Sequence, residues 1–138
     1  MAVLQSMAEE HGIKERIHFL GWQKAEQLKE QYHAANIFLF PSRHEGMPNA
    51  VLEAMASGLP VVATRIAGNE ELVVNGETGA LVPAEDVVSL RESLRPLLVD
   101  AKMREKMGRA SRQRVEESFS WDRVAEQYQK VLEESRRL

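Results

Sequence analysis

The 138-residue chain contains no cysteine, and this absence excludes two kinds of chemistry. Without thiols the chain can form no disulfide bond and can use no thiolate as a nucleophile. The absence of cysteine is compatible with the cytoplasm, which is the location that we expect for this protein.

Positive charge and long apolar runs are also scarce. The chain has 18 Lys and Arg residues against 21 Asp and Glu residues, and its net charge of −3 gives no basic field for nucleic acid or an anionic membrane. No apolar run approaches the ~20 residues that span a bilayer, so we expect no integral membrane segment. Residues 1–10 are amphipathic and acidic rather than cationic and then apolar, so we expect no signal peptide.

Patterns typical of metal or phosphate sites are missing as well. The four histidines are scattered, and Gly12 with Gly21 does not form a Gly-x-Gly-x-x-Gly cradle. His44 precedes Glu45 and admits a general-base interpretation, but no Asp or Ser partner for it is evident. We therefore expect no cofactor and no dependence on metal.

What the chain does contain is an alternation of short apolar segments with amphipathic ones. This pattern predicts strands at 16–20, 37–40, 59–64 and 80–82, and helices at 2–10, 24–35, 48–57 and 69–74. Because strand–helix alternation is typical of a parallel sheet, we expect an α/β fold with about four parallel strands and flanking helices. We expect a single domain over 1–138, with an α/β portion over 1–84 and C-terminal helices over 85–138.

Local signals predict where several helices begin, end or bend. Gly58 is placed to follow the end of one helix, and Asn69 to cap another that runs to Val74. Pro96 lies inside an apolar helical pattern and should kink or interrupt that helix. Ser120 is placed to cap the last helix.

The last predicted helix carries an apolar stripe. The residues that form this stripe recur at spacings of three and four, and they are Trp121, Val124, Tyr128 and Leu132. We expect the stripe to pack on the rest of the chain or on another copy, so that deleting 119–138 would cause aggregation.

Two carboxylates with seven residues between them, Glu45 and Glu53, mark the most informative segment. Glu45 lies in a loop after a predicted strand, and Glu53 lies in the helix that follows this loop. Open α/β sheets bind ligands at the carboxyl ends of their strands. Taken alone, each carboxylate could equally be a loop acid or an exposed helix residue.

The loop that enters this helix has features suited to phosphate. Helix N-termini bind phosphate through free N–H groups and the helix dipole. Gly46 allows close approach of the backbone, and Asn49 can cap the helix or donate to an oxygen. The alternative is an ordinary helix that starts at Pro48 and is stabilised by Asn49.

In combination these features resemble the donor-binding half of the family-4 glycosyltransferases, which are retaining enzymes of the GT-B fold. The resemblance covers nearly the whole chain, and the residues that carry it are Phe19-Leu20-Gly21, Tyr32 to Asn36, Phe40-Pro41-Ser42, the Glu45 and Glu53 pair, Pro60 to Thr64, Gly68, Glu71-Leu72-Val73, Asn75-Gly76, Gly79 to Pro83, Arg104, Met107-Gly108 and Phe119-Ser120-Trp121.

The resemblance implies a role for each carboxylate. It implies that Glu53 holds the ribose of a nucleotide-diphosphate sugar. It also implies that Glu45 contacts the hydroxyls of the sugar, which makes Glu45 the candidate catalytic residue. A carboxylate suits vicinal hydroxyls because it accepts two charge-assisted hydrogen bonds.

The remaining donor-binding candidates lie in the two loops. The resemblance places Gly21 and Trp22 against the base, where Trp22 could stack on it or serve as a half-buried surface anchor. Arg43 is a local substitute for the cations that the diphosphate needs, or a solvated loop residue. The loop and helix start contribute further candidates, which are Gly46, Met47, Asn49 and Ala50.

The chain also departs from the family's pattern. A complete donor domain has six strands in a Rossmann-like arrangement, and its first two strands with their Gly-Arg…Lys stretch have no counterpart here. The acceptor-binding domain has none either. We therefore expect a truncated donor-binding domain that is inactive alone and needs the acceptor-binding domain as a partner. The alternatives are a non-catalytic α/β module or an engineered fragment, and, among enzymes, a GT-B phosphorylase or epimerase.

The two missing strands would separate the strand at 17–20 from the strand at 37–40. Unpaired strand edges are costly, so one of two arrangements should relieve them. Either the 17–20 strand moves beside 37–40, or two chains pair across the open edge. We favour the second arrangement, a homo-oligomer.

Overall fold

The computed structural model describes residues 2–136 as seven α-helices around a small parallel sheet. The helices are α1 (Ala2–Glu10), α2 (Ala25–Ala34), α3 (Asn49–Ala56), α4 (Ala67–Leu72), α5 (Val87–Val99), α6 (Ala101–Ser118) and α7 (Trp121–Ser135). The strands are β1 (Phe38–Phe40), β2 (Val61–Thr64) and β3 (Gly79–Val82), and a 3₁₀ turn spans Lys14–Arg16. The α/β fold with a parallel sheet is therefore confirmed.

The sheet has the order β1-β2-β3, and both pairings are parallel. All four residues of β2 are buried, which is why this strand is an unbroken apolar run closed by one threonine. Val61 pairs with Phe38 on one side and with Gly79 on the other. A Cβ added at Gly79 would lie 1.8 Å from the Val61 carbonyl oxygen, so β3 can lie this close only with glycine there.

The predicted fourth strand at 16–20 does not form, and the prediction of about four strands was wrong. Arg16 ends the 3₁₀ turn, and residues 17–20 are in no strand. Ile17 and Leu20 are exposed, Leu20 by 50%. A strand needs a partner for its backbone N–H and C=O groups, and residues 17–20 pair with none of the three strands. The rearranged sheet in which 17–20 pairs with β1 is therefore also wrong.

Helix α6 ties the sheet to the helices around it. The Ser111 hydroxyl, fully buried, donates to the Thr78 carbonyl oxygen at 2.8 Å, just before β3. Arg114 donates to the carbonyl oxygens of Leu72 and Glu71, each at 2.7 Å, and so satisfies the end of α4.

Apolar side chains fill both faces of the sheet. One cluster lies under α3 and α4 and contains Val51, Met55, Val61, Ala63, Leu72, Val73 and Leu81. A second lies under α5 and α6 and contains Val62, Leu97 and Met107. The sheet is therefore a covered central layer, as a parallel sheet requires.

Of three predictions about where helices begin, end or break, the one for Gly58 is confirmed, whereas Asn69 is not a cap and Pro96 does not break its helix. Gly58 follows the end of α3 with φ of 78°, as predicted. Asn69 does not cap α4, because α4 begins at Ala67 and the Asn69 side chain is buried, where its Nδ2 donates to the Thr64 carbonyl oxygen at 2.8 Å. Pro96 does not interrupt α5, since the buried Leu97 anchors the last turn beyond it.

The start of α7 and its apolar stripe also differ from expectation. Ser120 is at the N-cap position, but its side chain makes no capping hydrogen bond. The stripe does not pack on the described part of the chain: Trp121 is 88% exposed, and Tyr128 and Leu132 are exposed as well. Only Val124 is half-buried.

Candidate functional site

The loop between β1 and α3 holds Glu45 at the carboxyl end of the sheet. The Ser42 hydroxyl donates to Glu45 Oε1 at 2.8 Å, and the Thr64 hydroxyl at the end of β2 donates to the Ser42 carbonyl oxygen. Glu45 is exposed and lines an open cleft of about 610 Å³. The other residues of this Glu45 cleft are Arg43, His44, Gly46, Ile66 and Ala67.

Helix α4 supports this loop from the other side of the cleft. A Cβ added at Gly68 would lie 2.0 Å from the Gly46 carbonyl oxygen and 3.0 Å from that of Glu45. The loop therefore rests directly on the α4 backbone, and its position depends on Gly68 having no side chain.

Helix α3 begins at Asn49, with the buried Pro48 at its N-cap position. Asn49 is the first residue of the helix and not its N-cap, so the capping interpretation of this residue was wrong. Val51 and Leu52 donate their N–H groups to the Pro48 carbonyl oxygen. The N–H groups of Asn49 and Ala50, in the first turn, have no partner within the helix.

Glu53 lies one turn farther along α3 and faces α2. Its Oε2 accepts a hydrogen bond from the Tyr32 hydroxyl at 3.2 Å. Glu53 lines a second cleft, of about 520 Å³, between α2, α3 and α6. The other residues of this Glu53 cleft are Ala25, Leu28, Lys29, Tyr32, His33, Ala56, Ser57 and Arg112.

Tyr32 is the buried member of this pair. Its side chain is 7% exposed, and its ring packs edge-on against Phe38 with the centroids 5.7 Å apart. Burial raises the pKa of Tyr32 to about 12, and the charge of Glu53 and the hydrogen bond to it act in the same direction. The phenol therefore stays a hydrogen-bond donor throughout the physiological pH range.

The two predicted carboxylates lie in different clefts. Glu45 is at the loop and Glu53 is on the side of α3 that faces α2, and neither residue lines the cleft of the other. The spacing of the two residues predicted that both lie at this end of the fold, but it did not predict that α3 would turn Glu53 toward α2.

The other predicted residues lie mainly on exposed surface. Arg43 lines the Glu45 cleft and forms an ion pair with Glu85 at 3.1 Å, in which both side chains are mostly exposed. Trp22 is 83% exposed, so it is not a half-buried anchor. Gly21 precedes it with φ of 66°, and Met47 is exposed at the loop tip.

Sequence reasoning missed the residues that surround Glu53. Lys29 and His33 lie on α2 at the edge of the Glu53 cleft, and Arg112 reaches it from α6. Arg112 is far away in the sequence, so no local pattern could place it there. Tyr32 did carry a signal, because a tyrosine on the apolar face of a helix needs a partner for its hydroxyl.

The structure adds two observations about other site types. Within 2–136, no three His, Asp or Glu side chains come together in a group that could hold a metal ion. In the same part of the chain, no helix combines the length and apolar character needed to cross a membrane.

Comparison with known proteins gives consistent results. The family model described as "Glycosyl transferases group 1" matches residues 2–114. The chain is 38% identical over 108 residues to the capsular polysaccharide biosynthesis glycosyltransferase CapM of Staphylococcus aureus. The aligned region covers 75% of this chain and 28% of that protein.

Two solved structures share the fold. Sucrose-phosphate synthase from Thermosynechococcus elongatus superposes with a TM-score of 0.87 at 31% identity, over 95% of this chain and 33% of that one. Anabaena HepE in complex with UDP-glucose superposes with a TM-score of 0.86 at 22% identity, over 96% of this chain and 36% of that one. The chain thus spans between 28% and 36% of the length of these three proteins.

Proposed function

This chain belongs to the group 1 glycosyl transferases, and from that premise we propose that it forms the nucleotide-sugar-binding portion of a retaining family-4 glycosyltransferase. The observation that carries the proposal is the Glu53 cleft, where a carboxylate on the helix after a parallel strand accepts a hydrogen bond from a buried tyrosine. HepE, whose fold the chain shares, has been solved with UDP-glucose, which supports a nucleotide-diphosphate sugar as the donor.

The donor would extend along the start of α3. Glu53 would bind the ribose hydroxyls, and Glu45 would bind the hydroxyls of the sugar at the other end of the donor. The separation of the two clefts supports this division, because the ribose and the sugar are themselves separated by the diphosphate. Gly21 and Trp22 would lie near the base, and the exposed Trp22 ring is free to stack on it.

The diphosphate would lie between the two carboxylates. The first-turn N–H groups of Asn49 and Ala50, with the backbone at Gly46 and Met47, would donate to its oxygens. Arg43 is the nearby cation, and its exposed ion pair with Glu85 is weak enough to exchange for a phosphate. No metal or other cofactor takes part in this proposal.

Transfer itself needs a second domain. In the reaction the bond between the anomeric carbon of the sugar and the diphosphate oxygen breaks, and a bond forms from the same face to an acceptor hydroxyl oxygen. The proton of that hydroxyl leaves with the nucleoside diphosphate. The acceptor-binding domain would position this hydroxyl, so we propose that residues 1–138 bind donor but transfer little alone.

Two further features belong to the same proposal. The enzyme works in the cytoplasm, and residues 1–84 form the α/β portion of the donor-binding unit while 85–138 form its helical portion. The open edge of β1 and the exposed Leu39 within this strand would favour a homo-oligomer when no other domain covers them.

Calorimetric titration with UDP, GDP, ADP and their sugars tests the donor site. We expect binding that selects one base, and we expect Glu53→Gln to weaken it by about 1.5–3 kcal/mol, the range for a hydrogen bond to a charged group. Glu45→Gln should weaken binding of the nucleotide sugar more than that of the nucleotide. Glu133→Gln, on the exposed α7, is the matched control and should change neither.

Absence of binding to every nucleotide would favour the non-catalytic α/β module instead. Equal losses from Glu45→Gln for the sugar-linked and the sugar-free nucleotide would show that Glu45 does not contact the sugar.

A further inference from the structure

Tyr32 and Glu53 form a hydrogen bond that connects α2 to α3 at the edge of the Glu53 cleft. We propose that Tyr32 is a positioning residue, which holds the Glu53 carboxylate in place so that the site prefers ribonucleotides to 2′-deoxyribonucleotides. This inference rests on the proposed donor-binding function and names a specificity-determining residue within it.

The Tyr32 side chain is itself fixed. Its ring is buried and packs against Phe38 at an interplanar angle of 67°, so the hydroxyl has little freedom to move. Two acceptors lie near this hydroxyl, namely Glu53 Oε2 at 3.2 Å and the Ala50 carbonyl oxygen at 3.4 Å. A phenol has one proton to donate, and the charged carboxylate is the stronger acceptor.

The consequence is a carboxylate with restricted freedom on an otherwise exposed side chain. Without Tyr32, a glutamate on a helix surface would sample several rotamers. With Tyr32 bound to Oε2, the second carboxylate oxygen and the remaining lone pairs are available to the cleft. This arrangement suits a vicinal diol, which presents two hydroxyl donors to one carboxylate.

A carboxylate held in this way also discriminates between ribonucleotides and 2′-deoxyribonucleotides. A site built to accept two hydroxyl hydrogen bonds loses one of them when the ligand lacks the 2′-hydroxyl, and a fixed carboxylate cannot move to compensate. A mobile carboxylate would adapt to either ligand. Tyr32 should therefore affect the ratio of the two affinities and not merely the stability of the fold.

The experiment compares Kd values for UDP, GDP and ADP with those for their 2′-deoxy counterparts. We expect the wild-type chain to prefer the ribonucleotide of its chosen base by about tenfold or more, as one charged hydrogen bond allows. In Tyr32→Phe, which keeps the ring on Phe38, the ribonucleotide should bind about fivefold more weakly while the deoxyribonucleotide changes little. Tyr128→Phe removes the same hydroxyl from the exposed α7 and should leave both values unchanged.

Circular dichroism would establish that Tyr32→Phe is folded. If it is not, 4-fluorophenylalanine at position 32 fills the space of the hydroxyl without donating a proton, and the same ratio can be measured. A Tyr32 variant that is folded and keeps the wild-type preference would overturn this inference alone. A wild-type chain that binds none of the nucleotides would overturn the proposed function, and this inference with it.

Discussion

Gly68 of α4 contacts the Gly46 carbonyl so closely that a Cβ on Gly68 would lie 2.0 Å from the oxygen. Two backbone segments that are distant in sequence thus meet with no side chain between them. The contact fixes the position of the Glu45 loop against α4. It also explains why glycine, and no larger residue, is at the second position of α4.

We therefore expect Gly68→Ala to displace the loop that carries Glu45. The clash is with backbone, so the change should destabilise the fold by about 1–3 kcal/mol, the range for overpacking. It should also weaken binding of a nucleotide sugar, as measured by calorimetry beside urea unfolding. Gly46→Ala is the matched control for the unfolding measurement alone, because a Cβ at Gly46 meets nothing within 4 Å. Equal losses of stability from the two substitutions would contradict the clash at Gly68.

Arg114 gives a second prediction, which concerns stability alone. Its two hydrogen bonds to the carbonyl oxygens at the end of α4 use two different nitrogens, and its guanidinium lies 5.6 Å from the centroid of the Phe119 ring. Arg114→Lys keeps the charge but cannot make both bonds, so it should cost about 1.5 kcal/mol in urea unfolding. Arg109→Lys, on the exposed face of α6, is the control and should change the free energy of unfolding by no more than about 0.5 kcal/mol. If Arg114→Lys leaves the free energy of unfolding unchanged, the hydrogen bonds at the end of α4 contribute nothing measurable to stability.

Asp86 gives a third prediction, which concerns how the stability of the fold depends on pH. Its carboxylate accepts from the Ser89 hydroxyl at 2.6 Å and from the Ser89 N–H at 3.0 Å at the start of α5. These hydrogen bonds hold the pKa of Asp86 below its usual range, so the folded state favours the charged form. The contribution of Asp86 to the free energy of unfolding is then present above the pKa of about 4 that an unfolded aspartate has. It is lost as the pH falls through the lower pKa of the folded state.

The test compares thermal unfolding of the wild type and Asp86→Ala between pH 7 and pH 2. The difference in Tm should be present at neutral pH and should shrink below about pH 4. Asp86→Asn is the control, since asparagine caps a helix without titrating, and its stability relative to Asp86→Ala should not depend on pH. A difference between wild type and Asp86→Ala that is constant with pH would exclude the carboxylate as its source.

Helix α7 gives a prediction that reverses the one made from sequence. Its apolar stripe is exposed, whereas Phe119 just before it packs on the main core cluster. Ending the chain after Ser120 should therefore change the Tm by no more than about 2 °C. It should also reduce self-association measured by light scattering, because an exposed apolar patch is removed. A large loss of Tm would mean that α7 supports the fold after all.

The central part of the fold could be predicted because local and tertiary preferences agree there. Three of residues 61–64 are β-branched and three are apolar, and they lie in the buried middle strand where such residues belong. The turn at Gly58 was equally predictable, since its φ of 78° is unfavourable for most other residues.

The errors occur where a tertiary partner decides the outcome. Ile17 to Leu20 have the composition of a strand but no neighbouring strand, and composition cannot report a missing neighbour. Asn69 has the chemistry of a cap, but the buried carbonyl of Thr64 takes its amide instead. Likewise, the spacing of Glu45 and Glu53 identified both residues, whereas the partner of Glu53 is Tyr32, which lies on another helix.

The cleft around Glu53 has a further consequence for how the protein is made. Arg112 completes its lining and Arg114 secures α4, so a nascent chain that ends before α6 lacks both. At about 5–20 residues per second, the ribosome exposes the apolar segments of β2 and α3 for roughly several seconds before α6 emerges to cover them. Because transiently exposed apolar surface promotes aggregation, we expect pausing of translation between α5 and α6 to lengthen the interval in which the unfinished chain is prone to it.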